Sequence, residues 1–322
     1  MPDESPSLDF FDSAFLRKLE TMAVFSRRAF AGRLRGEQRS NKHGSSVEFA
    51  DFRPYSQGDD FRRIDWNAYA RFEDLFVKLF IEEEDLFVYL LVDRSASMAF
   101  GEPTTKFDLA RRLTAAVAYI ALSHLDRVTV QSLSCEGQAA PGPLAVSVEA
   151  PPAPPNGRPP ENHLAFVRGK GSIFTVFDFL RRLRPEGSTD LGRSVREFLM
   201  NHHHKGVALL ISDFLSPNGY EDALKQLGFA GFQPMVIQVL AREELEPDLS
   251  GDFRLIDSET GLPVDISTTR RMIDGYRDRV RRFTGDLEQF CKKHNIAHLM
   301  TTSDTAAEDL VLHTLRRAGI VK

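Results

Sequence analysis

The sequence predicts an α/β fold, a doubly wound, mostly parallel six-stranded sheet, with an N-terminal helical and irregular packing segment before it and an inserted β-hairpin within it. Three observations lead there. From residue 86 onward, short apolar runs alternate with amphipathic patterns of helical period, the signature of a parallel sheet covered on both faces. The runs "FVYLLV", "VALLIS" and "PMVIQVL" are apolar throughout, as central strands buried on both sides must be. Two of these runs lead straight into an acid, Asp93 and Asp213, which sets both carboxylates at the carboxyl edge where open α/β sheets bind ligands.

Residues 1–84 do not share the alternation and read as a separate packing segment. A helical pattern from about 9 to 31 leads into "GSSVEFADFRPYSQGDDFRRIDWNAYARFEDLFVKLF", dense in aromatics and paired charges, with a strand at its end. Trp66, the one tryptophan, is expected as a core anchor. Arg53, Asp59, Asp60, Arg62, Arg63, Asp65 and Arg71 are expected to form bidentate ion pairs that fix this lead-in against the sheet, with Gly58 in a turn.

Residues 85–322 form the α/β domain. After "FVYLLV" comes the amphipathic helix "KFDLARRLTAAVAYIALSHL", then the alternating strand "RVTVQSL". Residues 136–163 hold eight of the seventeen prolines, too many for ladder hydrogen bonds, and are expected as an exposed, mobile loop. Helices follow in "SIFTVFDFLRRLR", "DLGRSVREFLMNHH" and "YEDALKQL", with the strands "VALLIS" and "PMVIQVL" among them. Residues 253–266, "FRLIDSETGLPVDI", read as the hairpin. A long charged helix from about 269 to 294, the strand "AHLMTT" and a helix from about 305 to 317 close the chain. Six strands and about six helices in this order fit an open sheet.

Composition excludes several classes. The longest apolar run, "AAVAYIAL", is far short of the roughly 20 residues a spanning helix needs, and no signal peptide opens the sequence, so a soluble, cytoplasmic protein is expected. A net charge of −5 gives no chain-wide basic field for nucleic acid. The basic residues between 17 and 43 and the acidic block Glu82 to Asp85 read as a solvated helix facing its counter-charges. Cys135 and Cys291 lack CxxC spacing and read as inert. "HHH" at 202–204 places its imidazoles on different faces of a helix end, which suits a polar terminus better than zinc.

The chemistry gathers at the strand ends. Asp93 is followed by hydroxyls at Ser95 and Ser97, which a tight loop turns inward together. "PEGSTDLG", 185–192, sets Ser188, Thr189 and Asp190 where a helix N-cap belongs, and Asp213 ends another strand. Two acids with hydroxyls form an oxygen-only set that suits a hard divalent cation, Mg²⁺ or Mn²⁺. Without a cation, carboxylates brought close repel and one holds its proton. The structural alternative is that each acid merely caps the element after it.

"DRSAS" at 93–97, Thr189 in "GSTDLG" and Asp213 in "ISDF" resemble the three parts of the metal-ion-dependent adhesion site of von Willebrand factor type A domains. The resemblance implies a von Willebrand A-like sheet, Ser95, Ser97 and Thr189 facing a metal, Asp93 and Asp213 acting directly or through water, and a partner's carboxylate completing the shell. In that family Gly often follows the third motif's Asp, where Phe214 stands here. "EFADFRPYSQGDDFRRIDW" at 48–66 and the hairpin "IDSETG" before "TTRRMIDGYRDRV" are similar to the bacterial family catalogued as domain of unknown function 58. Many of its members carry transmembrane helices ahead of this region, so any membrane association of this chain is expected to be peripheral. Members are commonly encoded beside MoxR-type AAA+ ATPases, which implies a chaperone-like or assembly role with such a partner.

The expectation is therefore a non-enzymatic, divalent-metal-dependent interaction module with Asp93, Ser95, Ser97, Thr189 and Asp213 as metal ligands. The alternative is a metal-assisted phosphohydrolase using Asp93, Asp190 and Asp213 to activate water. No GxSxG, GxxxxGK[ST] or HExxH pattern is present, and Ser95 stands where a phosphoaspartyl hydrolase wants its second acid.

Overall fold

The computed structural model describes residues 10–26, 47–82, 86–133, 162–247, 251–256 and 263–322. The proline-rich loop, the basic stretch from Arg27 to Lys42, the acids at 83–85, Cys135 and the hairpin tip lie outside these residues. The chain divides into two compact units, one of residues 26–86 and one of residues 1–25 with 87–322. Among the described residues, no helix is long and apolar enough to cross a membrane.

The larger unit opens with helix α1 (Ser13–Leu19), capped by Asp12, whose carboxylate accepts from Phe15 N at 2.6 Å. The expected helix of about 9–31 ends here, because the next residues pair as extended chain. Val24 bridges Val321, and Phe25 N donates to Ile320 O at 2.9 Å. A β-branched residue with a backbone partner prefers that geometry to another helical turn.

In the smaller unit, β1 (Val47–Pro54), α2 (Trp66–Phe72) and β2 (Phe76–Glu82) replace the mostly irregular lead-in. The two strands pair antiparallel with a bulge between Phe49 and Asp51. Arg53 pairs with Asp59 at 2.8 Å, but Asp60 and Asp65 cap short helices, accepting from Arg62 N and Asn67 N, both at 2.9 Å. Asp at an N-cap satisfies an orphan amide next to it in sequence. Trp66 is no core anchor. It is 60% exposed and meets Tyr69 edge-on at 6.3 Å.

The six-stranded sheet of the larger unit has its strands in the order 297–302, 233–240, 207–212, 87–93, 127–133 and 163–168. It comprises β3 (Phe87–Asp93), β4 (Arg127–Leu133), β5 (His163–Arg168), β6 (Val207–Ser212), β7 (Gln233–Leu240) and β10 (Ala297–Thr302), with β8 (Gly251–Ile256) and β9 (Pro263–Thr268) forming the separate antiparallel hairpin. All pairings within the sheet are parallel except β4 with β5. This antiparallel edge, which completes the six strands, is largely exposed along its length, so its sequence lacks the apolar signal of its neighbours.

Helices cover both faces. On one lies α3 (Lys106–Ser123), whose small, apolar stretch from Ala115 to Leu122 is buried throughout. On the other, Tyr89 and Leu91 of β3 pack with residues of three further helices: α5 (Leu191–Asn201) and α6 (Glu221–Phe229), which come after α4 (Ile173–Arg182), and α8 (Arg270–Lys293), which comes after the short α7 (Arg242–Leu245). Val88, Leu90 and Val92 alternate toward the α3 side. Each fully buried aliphatic side chain adds about 1.5–3 kcal/mol. After β10, helical segments Ala307–Asp309 and Leu315–Arg317 flank a π-helical turn at Leu310–Thr314. His202 caps α5, its Nδ1 3.0 Å from Phe198 O and its ring stacked on Phe198, while His204 stacks on Phe87.

The topology positions the site. From β3 the chain builds β4 and β5 to one side, then crosses over to β6 on the other. The carboxyl ends of β3 and β6 therefore flank the point where strand order reverses, the place where open α/β sheets hold their ligand crevice.

Candidate functional site

Asp93 ends β3 and Asp213 follows β6, and both side chains are almost fully buried at this crevice. The loop after β3 folds back because Asp93 Oδ1 accepts from Ser95 N at 2.9 Å, and the short 3-10 turn Ala96–Ala99 then sets Ser95 Oγ 3.0 Å from Ser97 Oγ. The loop before α5, residues 185–190, is sewn to the loop after β3 by backbone bonds: Glu186 N donates to Arg94 O at 2.6 Å and Ala96 N to Gly187 O at 2.9 Å. Buried Arg94 reinforces the seam through an ion pair to Glu186 and a 3.1 Å bond to Asn162 Oδ1.

Those seams bring Thr189 Oγ1 to 2.7 Å from Asp93 Oδ1. Ser97 Oγ donates to Asp213 Oδ2 at 2.9 Å. The five residues expected from the sequence are thus joined in one hydrogen-bonded chain, Thr189 to Asp93 to Ser95 to Ser97 to Asp213, in which the Asp93–Ser95 link runs through the Ser95 backbone amide. Asp190 stands apart from it. Its carboxylate caps α5 through Arg193 N at 2.9 Å and accepts from Asn218 Nδ2 at 2.8 Å, as an acid at an N-cap should.

Three participants escaped the sequence reading. Ser212 Oγ donates to Asp93 Oδ2 at 2.5 Å. Lys106, the first residue of α3, reaches Asp213 Oδ2 at 2.8 Å and Glu244 Oε1 at 2.6 Å with its side chain wholly buried. Glu244 sits in α7 and also accepts from Ala241 N at 2.8 Å, so it is held at both oxygens. Lys106 did leave a signal. A cation in the first turn of a helix opposes the macrodipole, and such a placement needs a carboxylate partner.

Burial, then the neighbouring charge of Asp213, push the Asp93 carboxyl above its ordinary range, against the hydrogen bonds from Ser212, Ser95 and Thr189. Burial by itself lowers the Lys106 ammonium, but Asp213 and Glu244 outweigh it and the net direction is upward. The cluster thus sets a buried ammonium against Asp213, beside an Asp93 carboxyl raised by burial and by that neighbour's charge.

Among the described residues, no three His, Cys, Asp or Glu side chains converge as a metal-ligand group. The donor set at the crevice is instead two carboxylates and three hydroxyls, all hard oxygen. In donor chemistry such a set suits a hard divalent cation.

Phe214 occupies the position where the resemblance expects Gly. Its φ is +63°, a left-handed conformation that glycine adopts without strain. The ring compensates by burial, standing edge-on to Tyr220 at 6.2 Å.

The chain is similar over most of its length to two uncharacterized mycobacterial proteins, Rv1480 of Mycobacterium tuberculosis and Mb1516 of Mycobacterium bovis. Each is 26% identical over 324 residues, covering 97% of this chain and 92% of the relative. Among solved structures, the conserved hypothetical protein BatB from Bacteroides thetaiotaomicron aligns with a TM-score of 0.40 at 13% identity, over 72% of this chain and 98% of that one. An aerotolerance-related membrane protein from Bacteroides fragilis aligns with a TM-score of 0.40 at 14% identity, over 72% and 99%. The family model described as "Protein of unknown function DUF58" matches residues 51–141 and 160–284, and the chain belongs to that family.

Proposed function

We propose that this chain is a non-enzymatic interaction module whose crevice takes up Mg²⁺ or Mn²⁺ and offers a coordination position to an acidic residue of a protein partner. Asp93, Ser95, Ser97, Thr189 and Asp213 would hold the ion, and the ion would supply the positive charge that attracts the partner's carboxylate. The observation that carries this reading is charge. Asp93, Asp213 and Glu244, when ionised, set three negative charges against the single ammonium of Lys106, a shortfall that one divalent cation makes up. The resemblance to the family catalogued as domain of unknown function 58 points to a MoxR-type AAA+ ATPase as the partner class.

Calorimetric titration with Mg²⁺ and Mn²⁺ tests it. The wild type is expected to take up one ion, and Asp93→Ala and Ser97→Ala to lose that uptake while melting cooperatively. Equal uptake by wild type and both variants sinks the proposal. Capture of an AAA+ ATPase that depends on Asp93 and is abolished by a chelator would support the partner, whereas metal-dependent phosphoester turnover would establish the hydrolase instead.

A further inference from the structure

Helix α8 carries apolar residues at Ile273, Tyr276, Val280, Phe283, Leu287 and Phe290, an alternation of three and four that marks a coiled-coil seam. Its carboxyl half is used by the fold: Leu287 is buried in the core cluster and Phe283 and Phe290 pack against it. Its amino half is not finished in this way. Tyr276 is 41% and neighbouring Met272 48% exposed, and Ile273 and Val280 are only half-buried.

The positions that flank a seam choose its partner by charge. Here they are Arg270, Met272, Arg277 and Arg279, three of the four cationic. Arg270 and Arg279 are exposed, and the Nε of Arg277 is buried without a hydrogen-bond partner. The guanidinium fork matches a carboxylate bidentately. On the outer face Arg281 already has Asp278 at 3.8 Å. The same half of the helix adjoins the crevice: α7, which carries Glu244, packs on α8, and Tyr276 lies close enough to sense the charges of Glu244 and Lys106.

We propose that the amino half of α8 is the docking face for an acidic amphipathic helix of the partner protein, which completes the seam at Ile273, Tyr276 and Val280 and sets its carboxylates against Arg270, Arg277 and Arg279. The inference rests on the reading of the crevice as a receptor for an acidic partner, and it places that partner's second contact. A second copy of this chain is disfavoured as occupant, since two such faces would oppose arginine to arginine.

The test uses the full chain and two designed 28-residue helical peptides with Leu at both seam positions, one with Glu and one with Lys at the flanking positions. Fluorescence anisotropy is expected to show the Glu peptide binding at least about tenfold more tightly than the Lys peptide, with the preference weakened by salt. Arg277→Glu with Arg279→Glu should invert that preference, and Tyr276→Glu should abolish binding of both. Each variant should still unfold in a single cooperative melt. Equal binding of the two peptides, or of neither, overturns the proposal, as does a wild-type dimer in sedimentation that Tyr276→Glu dissolves. Running each titration in EDTA and in Mg²⁺ separates the two readings: Glu-peptide binding that persists in EDTA upholds the docking face even if metal uptake fails.

Discussion

Replacing Lys106 by Met tests the electrostatics of the crevice most directly. The ammonium is wholly buried, 2.8 Å from Asp213 Oδ2 and 2.6 Å from Glu244 Oε1, and the Asp213 side chain is only 3% exposed. Methionine keeps the length and apolar stem but leaves a buried carboxylate without its counter-ion. Breaking a buried pair from one side costs about 3–5 kcal/mol, because the orphaned charge keeps its desolvation penalty and loses its attraction. In urea denaturation at pH 7 with EDTA present, Lys106→Met should lose that amount. Glu244→Gln added to it should restore part of the loss, with a coupling of about 0.5–3 kcal/mol in the double-mutant cycle. A loss below about 1 kcal/mol, or strictly additive changes, would refute the assignment of Lys106 as the internal counter-ion.

Other perturbations report on the frame around it. Phe214→Gly removes left-handed strain worth about 1 kcal/mol but also a buried ring worth about 3–5 kcal/mol, so chemical denaturation should show a net destabilisation. A Cβ built on Gly206 would lie 2.0 Å from the Phe87 carbonyl oxygen, so Gly206→Ala should lower the urea midpoint by the equivalent of about 1–3 kcal/mol as β3 and β6 part. Burial pushes the Cys291 thiol up to about 12, so in a Cys135→Ser background Ellman's reagent at pH 8 should leave the native protein unlabelled and react once it is denatured. Rapid native labelling would show that α8 opens readily.

The strands and helices of the sheet were legible because burial on two faces demands apolar runs, and "FVYLLV" and "VALLIS" have no other comfortable place. The edge strand His163–Arg168 was not, since its exposed residues carry no such pattern. The same limit explains Trp66: an aromatic advertises burial, but α2 presents it outward. The reach of α1 was overread because helical periodicity cannot reveal that Phe25 finds its hydrogen-bond partner near residue 320.

At the crevice, "DRSAS", "GSTDLG" and "ISDF" determined by themselves which oxygens stand at strand ends, because chain direction in a parallel sheet dictates the edge each loop reaches. Only the tertiary structure decided how they are joined and balanced. Lys106 and Glu244 lie 107 and 31 residues from Asp213 in sequence, on elements whose local patterns say nothing of each other. Electrostatic partnership depends on distance through space and on exclusion of water, and neither quantity exists until the sheet has closed over α3.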